Sequence, residues 1–227
     1  MALTIQALKV GTVHGFSQAA LTFSRGHFVE VDFAIYMFLV RGGDKLVLVD
    51  TGPGTPAEVR ERHGFTMTQL PDEEPRAALA KAGVQPEDVE IVVNTHLHWD
   101  HCSNNDVFTN AQIFVQGSEL HYAAHPLPTG RASYERKPGM APAWTRAFDR
   151  TFGRDGDYEL IPGVEVVTLP GHTPALRRSG PGAFEEVPDR RRLHQLLREL
   201  GGRCQRLAHS LWFVHKPGGL LSLVRQD

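Results

Sequence analysis

The sequence predicts an α/β layered fold, and three observations predict it. Apolar runs the length of buried strands recur through the first 175 residues. Gly- and Pro-rich clusters punctuate those runs. Stretches with helix start and stop signals lie between them.

Residues 1–50 read as β structure. Ile35 to Val40 is an apolar run, Arg41-Gly42-Gly43-Asp44 turns the chain, and Leu46-Val47-Leu48-Val49 is a buried strand. That strand stops at the breaker cluster Asp50-Thr51-Gly52-Pro53-Gly54. The spacing predicts a helix from Pro75 to Ala82, because acids precede it, a proline opens it and Gly83 stops it. Val89-Glu90-Ile91-Val92-Val93 is a second buried strand, and it leads directly into Thr95-His96-Leu97-His98-Trp99-Asp100-His101. Ala111 to Val115 predicts a strand and Gly117 to Ala124 a helix. The stretch 126–157, rich in Pro, Gly and charge, reads as helix plus loop covering the site that the histidine run marks. Val164 to Leu169 predicts a strand ending at Pro170-Gly171-His172-Thr173-Pro174. No internal repeat is present.

A chain of 227 residues is long enough for one domain with a substantial core. A net charge of −2 gives no reason to expect nucleic-acid or membrane partners. No apolar run is long enough to cross a bilayer. The segment Met-Ala-Leu-Thr-Ile lacks the basic and apolar regions of a signal peptide, so a cytoplasmic setting is expected. Cys102 and Cys204 make neither a disulfide framework nor a CxxC pair. Twelve histidines are many for this length, and with so few cysteines they direct attention to a metal site of nitrogen and oxygen ligands.

His96 and His98 stand two apart at a strand exit, so both imidazoles can project to one side and reach one ion. Asp100 and His101 follow where the chain is expected to turn into a helix, which lets them face a second ion. His172 follows another strand end and can be delivered to the same cleft. Zinc takes such ligands and, in catalytic sites, keeps a position for water. A lone histidine is ordinarily a surface or hydrogen-bonded residue, but no packing requirement produces three histidines and an aspartate within six residues. Asp50 reads either as a turn residue or, preferably, as a carboxylate that orients a ligand loop by hydrogen bonds. Cys102 and Trp99 are expected to pack beside the site rather than to bind. Histidines 14, 27, 63, 121, 125, 194, 209 and 215 have no ligand-like spacing.

Asp50-Thr51-Gly52, His96-x-His98-x-Asp100-His101 and Pro170-Gly171-His172-Thr173-Pro174 resemble the metallo-β-lactamase superfamily over about residues 1–175. Thr95 to Cys102 and the preceding Pro86-Glu87-Asp88-Val89 are similar to its N-acyl-homoserine lactonase branch, the quorum-quenching enzymes. The resemblance implies an αββα sandwich with two zinc ions, one held by His96, His98 and His172 and the other partly by Asp100 and His101, with Asp100 as the catalytic carboxylate. It implies attack of a metal-bound hydroxide on the carbonyl of a small-molecule lactone or ester, the oxyanion being stabilised by zinc. It is compatible with a homodimer. A glyoxalase-II-like thioesterase shares the same motifs and is the alternative enzyme.

Beyond residue 175 the chain departs from that pattern. Residues 1–175 carry 14 Lys and Arg against 21 Asp and Glu, whereas residues 176–227 carry 10 against 5, nine of the ten being arginine. The division expected is therefore a zinc hydrolase domain over 1–175 and an atypical arginine-rich tail over 176–227. The Gly-Asp that should supply a carboxylate bridging both zincs is missing from the tail, and no final histidine has the right spacing. Asp189 to Leu200 could form a helix stopped by Gly201, which is not the expected element. The resulting expectation is a sandwich incomplete at its C-terminus, with one zinc or weak occupancy. It also leaves room for a catalytically impaired, non-enzymatic zinc-binding product. Read one base later with free codon choice, Phe184 to Arg192 can give L-K-R-Y-L-I-A-G-D, a strand ending in Gly-Asp. Two further tail segments, Leu197 to Cys204 and His209 to Pro217, also give family-like strings in that frame. The hypothesis is a frameshift near residue 175. It is tested by the coding DNA: the codons of residues 183–204 should encode the Gly-Asp strand in another frame, and codons that do not would end the idea.

Overall fold

The computed structural model describes residues 3–22, 26–168 and 172–173, together with the backbone of 213–214 and 222–224. Among the described residues the main sheet consists of β1 (Thr4–Ser17), β2 (Glu30–Arg41), β3 (Val47–Val49), β4 (Thr66–Thr68), β5 (Ile91–Val93), β6 (Gln112–Val115), β7 (Thr151–Gly153) and β11 (Ser222–Val224). Its order is β11-β1-β2-β3-β5-β6-β7, with β4 paired to β1. The run β3-β5-β6-β7 is parallel, so these strands end at one edge of the sheet. A second sheet comprises β8 (Tyr158–Ile161), β9 (Val164–Val166) and β10 (Phe213–Val214), in the order β10-β9-β8.

The strands are apolar on both faces because both faces are covered. Successive side chains alternate across a strand. Leu39, Leu48 and Val92 pack on one side with Val59, Ala78 and Leu79 of the helical layer. Phe38, Val40, Val47, Val49, Ile91 and Val93 pack on the other with Ile161, Val164 and Val166 of the second sheet. Helix, sheet and second sheet therefore stack in layers, as an α/β reading expects. Of the expected αββα sandwich the described residues give one helical layer and the two sheets, and the helix expected over Asp189 to Leu200 lies outside them. Among the described residues no helix is long and apolar enough to cross a membrane.

Several elements differ from the sequence reading. Helix α1 (Gln18–Leu21) and helix α2 (Pro56–His63) were not anticipated. The signals for α2 were present: Thr55 and Glu58 make a capping box, Pro56 opens the helix, and Gly64 closes it at φ +75°. Helix α3 (Pro75–Lys81) ends beside Gly83, whose φ is +70°. Strand β5 starts at Ile91 rather than Val89, because Val89 terminates a 3-10 turn, Pro86–Asp88. Strand β9 stops at Val166, and the remainder of the expected strand up to Thr168 is irregular, with Leu169 outside the described residues. Helix α4 (Trp99–Cys102) follows the His96-x-His98 run, and helix α5 (Gly117–Ala124) follows β6.

The stretch 126–157 contains 3-10 turns at Ala143–Thr145 and Phe148–Arg150 and then strand β7, in place of the expected α-helix. Pro126, Pro128, Pro138 and Pro142 remove the donors a helix needs. Glu135 holds this segment on α2. Its carboxylate accepts from Arg62 at 3.0 Å and from the Ala143 amide at 2.6 Å, and lies 3.2 Å from His63 Nε2. Lys137 adds a bond to the Arg62 carbonyl at 2.6 Å. Burial alone would raise the Glu135 carboxyl, but the His63 and Ala143 hydrogen bonds and Arg62 outweigh it and hold it down to about 2, from 4.5.

A folded-state value below the unfolded one gives stability that is present above 4.5 and lost as pH falls towards 2. Glu135→Gln should therefore be less stable than wild type near neutrality, the two urea-unfolding curves converging as pH falls through that window. A difference in stability independent of pH would contradict this.

Candidate metal centre

Three parallel strands deliver the site at their carboxyl ends, the edge where open α/β sheets place ligands. Strand β3 ends at Asp50, β5 runs into Thr95 to His101, and β6 leads through Gln116 into α5. The Asp50–Gly52 turn is sewn to the neighbouring loop by backbone bonds, Asp50 N to Val93 O at 2.9 Å, Thr51 N to His101 O at 2.7 Å and Ser103 N to Gly52 O at 3.1 Å. Gly52 makes this approach possible. At φ +75° it takes a left-handed conformation, and a Cβ there would lie 2.8 Å from Val10 Cγ2.

Asp50 is fully buried and also left-handed, at φ +59°. Its Oδ1 accepts the Thr95 amide at 2.8 Å, and its Oδ2 accepts the Thr95 hydroxyl at 2.9 Å. Oδ2 also lies 2.7 Å from His101 Nδ1. With Nδ1 engaged, the His101 ring directs Nε2 towards Asp100, whose Oδ2 is 3.5 Å away. Behind them Asn94 and Asn105 exchange amide hydrogen bonds at 2.8 and 3.2 Å, and Thr51 donates to Asn105 at 2.9 Å.

His96, His98 and His172 each offer a ring nitrogen, and these atoms all lie within 4.8 Å of one another. The rings meet edge to face, with centroids 4.5 Å apart for His96 and His98, 4.8 Å for His96 and His172 and 5.0 Å for His98 and His172. His96 is buried, His98 half-buried and His172 exposed, so the group opens to solvent on one side. Three imidazole donors with one open side suit zinc. Burial drives the His98 imidazole down to about 3, Asp100 opposing and His172 and His101 adding to the fall. His98 is therefore neutral, the form a metal takes. Asp100 and His101 stand beside the first set, where an ion on His101 Nε2 would have to displace the proton that its two carboxylate neighbours hold there. Burial would lower His101, but Asp100 and Asp50 raise it to about 10. Burial would raise Asp100, but His101 and His98 hold it well below the ordinary carboxylate range.

The predicted residues Asp50, His96, His98, Asp100 and His101 are thus brought to one strand edge of the main sheet, and His172 reaches them from the loop after β9 of the second sheet. The turn at Pro170-Gly171 lies outside the described residues. Trp99 packs, its ring stacked 4.4 Å from His63 and 5.9 Å from Phe65. Cys102 is buried and donates its thiol to the His98 carbonyl at 3.2 Å. Burial, with Glu135 and Asp50 adding, pushes that thiol well up.

The sequence reading did not single out Glu119 and Tyr134. Glu119, in the first turn of α5, is 1% exposed. It accepts the Leu97 amide at 3.0 Å, the Tyr134 hydroxyl at 2.7 Å and the Thr173 hydroxyl at 2.8 Å. The Tyr134 ring stands edge-on to His98 at 4.6 Å, and burial together with Glu119 raises its phenol. The available signal was position: Glu119 follows the strand next to the one that carries His96 and His98.

Asp50→Asn keeps the shape but turns one oxygen into a donor, which conflicts with one of the groups now donating to it. The expected outcome is zinc affinity lower by about 10- to 100-fold, measured by chelator competition. Unchanged affinity in a folded variant would show that Asp50 does not orient His101.

The family model for the metallo-β-lactamase superfamily matches residues 31–176. An N-acyl homoserine lactonase from Bacillus sp is 29% identical over 152 residues, 63% of this chain and 56% of that protein. AttM, an N-acyl homoserine lactonase from Agrobacterium fabrum, is 37% identical over 95 residues, 40% of this chain and 35% of that one. The chain thus spans little more than half the length of the Bacillus relative and about a third of AttM. Among solved structures, an N-acyl homoserine lactone hydrolase with N-hexanoyl-L-homoserine at its catalytic metal centre superimposes with a TM-score of 0.61 at 22% identity. That likeness covers 77% of this chain and 68% of the other, and it bears on fold. A mutant of Bacillus thuringiensis AiiA with N-decanoyl-L-homoserine at its active site gives 0.60 at 23% identity, over the same shares of the two chains. With more than half its length matched by the family model, the chain belongs to the metallo-β-lactamase superfamily.

Proposed function

We propose that the chain is a zinc-dependent hydrolase that opens lactone rings, N-acyl-homoserine lactones in particular. The convergence of His96, His98 and His172 from two separate loops carries this reading. The lactone assignment draws on the relatives, which are described as N-acyl homoserine lactonases. When bound, zinc supplies Lewis-acid polarisation of a carbonyl and acidification of a water molecule. His96, His98 and His172 would hold one ion, and Asp100 and His101 would contribute to a second position. Asp50 fixes the His101 ring through Nδ1. Asp100, kept ionised beside His101, would offer that second position a negatively charged oxygen. The domain assigned to this chemistry is residues 1–175. The free, buried thiol of Cys102 suits a reducing, cytoplasmic setting.

One observation favours a second reading, a zinc-binding product with impaired catalysis. The family match ends at residue 176, and residues 176–227 contain no Gly-Asp. On that reading the second metal position lacks its bridging carboxylate.

Zinc-loaded full-length chain, assayed against N-acyl-homoserine lactones and against acyl thioesters, distinguishes the readings. The expected outcome is lactone turnover that His96→Ala and His172→Ala abolish together with zinc uptake. Preference for thioesters would replace the lactonase by a glyoxalase-II-like enzyme, and bound zinc without turnover of either class would favour the impaired product.

A further inference from the structure

The metal donors stand on loops that are far apart in sequence, His96 and His98 after β5 and His172 after β9. Their relative position must be held by contacts outside the donor set, because three imidazoles do not attract one another. Among the described residues, the carboxylate of Glu119 contacts both loops. Glu119 Oε1 accepts the amide of Leu97, the residue between His96 and His98, at 3.0 Å. Glu119 Oε2 accepts the hydroxyl of Thr173, the residue after His172, at 2.8 Å. Oε1 also accepts from Tyr134 at 2.7 Å, and the Tyr134 ring backs the His98 imidazole. All three bonds lie in a dry setting, Glu119 being 1%, Tyr134 1% and Thr173 2% exposed.

We propose that Glu119 is a positioning residue whose carboxylate ties the His96/His98 loop to the His172 loop and sets the three imidazoles at zinc-binding distance before the ion arrives. The assignment rests on the zinc reading above. Its physical basis is the cost of a buried carboxylate: each oxygen must keep its donors, so Leu97 N and Thr173 Oγ1 are fixed to one rigid group on the first turn of α5. A helix-borne group is held more precisely than either loop could hold itself. Glutamine can replace the carboxylate in part. Its oxygen still accepts from Leu97 and Tyr134, and its amide donates to a Thr173 hydroxyl that has turned round.

The test uses the full-length chain with Thr173→Val, Glu119→Leu and Glu119→Gln. Zinc affinity is read by chelator competition, and coordination geometry by the visible band of the cobalt-substituted protein. Thr173→Val removes one hydroxyl and nothing from the donor set, so it stays informative where Glu119→Leu fails to fold. The expected result is zinc affinity lower by about tenfold or more in Thr173→Val, an altered cobalt band, and recovery of most of the affinity in Glu119→Gln relative to Glu119→Leu. A purely structural role would lower the melting temperature of the metal-free chain and leave affinity and cobalt spectrum unchanged, and that result would overturn the proposal. A wild-type chain that takes up no zinc would sink the hydrolase reading and the proposal with it. Normal wild-type uptake with unchanged affinity in Thr173→Val would sink the proposal alone.

Discussion

The side chain of Asp50 is removed from water and its backbone is held at φ +59°, and both are unfavourable for an aspartate taken alone. A left-handed non-glycine residue costs of order 1 kcal/mol or more, and a buried carboxylate without donors costs several. The structure offsets this with the Thr95 amide, the Thr95 hydroxyl and His101 Nδ1. These bonds lock the end of β3 to the segment following β5 and decide which nitrogen of His101 faces the cleft. Everything in the second donor pair depends on that choice. An imidazole turned the other way would present Nδ1 to Asp100 and leave the Asp50 carboxylate without its strongest partner.

The parallel run β3-β5-β6 makes this arrangement reachable. Adjacent parallel strands end side by side, so residues distant in sequence, Asp50, Thr95 and Gln116, come to one edge although helical crossovers separate them along the chain. The apolar side chains of β3 and β5 face both covering layers, which fixes the register of each strand. A one-residue slip in β5 would send Val92 to the wrong layer and carry His96 and His98 off the site. Core packing therefore sets the positions of the polar groups, and the polar groups take up the distances that remain.

Much of this was legible in the sequence where a local rule governs the outcome. The apolar runs, the Gly83 stop and the i, i+2 spacing of His96 and His98 each express a rule that acts within a few residues. For Asp50 the sequence left two readings, a turn residue or a carboxylate orienting a ligand loop, and its bonds to Thr95 and His101 support the second. The helix expected in 126–157 failed for a local reason as well: four prolines remove donors that a helix needs. The contacts of Glu119 were not legible, since its partners stand at positions 97, 134 and 173 and no periodicity links them. An acid in the first turn of a helix is ordinarily explained by the helix dipole, and nothing in the sequence separates that use from this one.

Asp50 and Glu119 stand after β3 and β6, on either side of the loop that follows β5, and each is a buried carboxylate satisfied by three donors. A buried charge replaced by a well-packed apolar group is often neutral or stabilising, so folding alone does not call for two of them at one edge. Their partners indicate their use. Asp50 bonds Thr95 and His101, and Glu119 bonds Leu97 and Thr173. Between them the residues adjoining His96, His98 and His172, and His101 itself, are held from both flanks. The groups that could bind a metal are thus spared the task of locating themselves. The stability given up in burying two carboxylates reappears as geometry at the donor set.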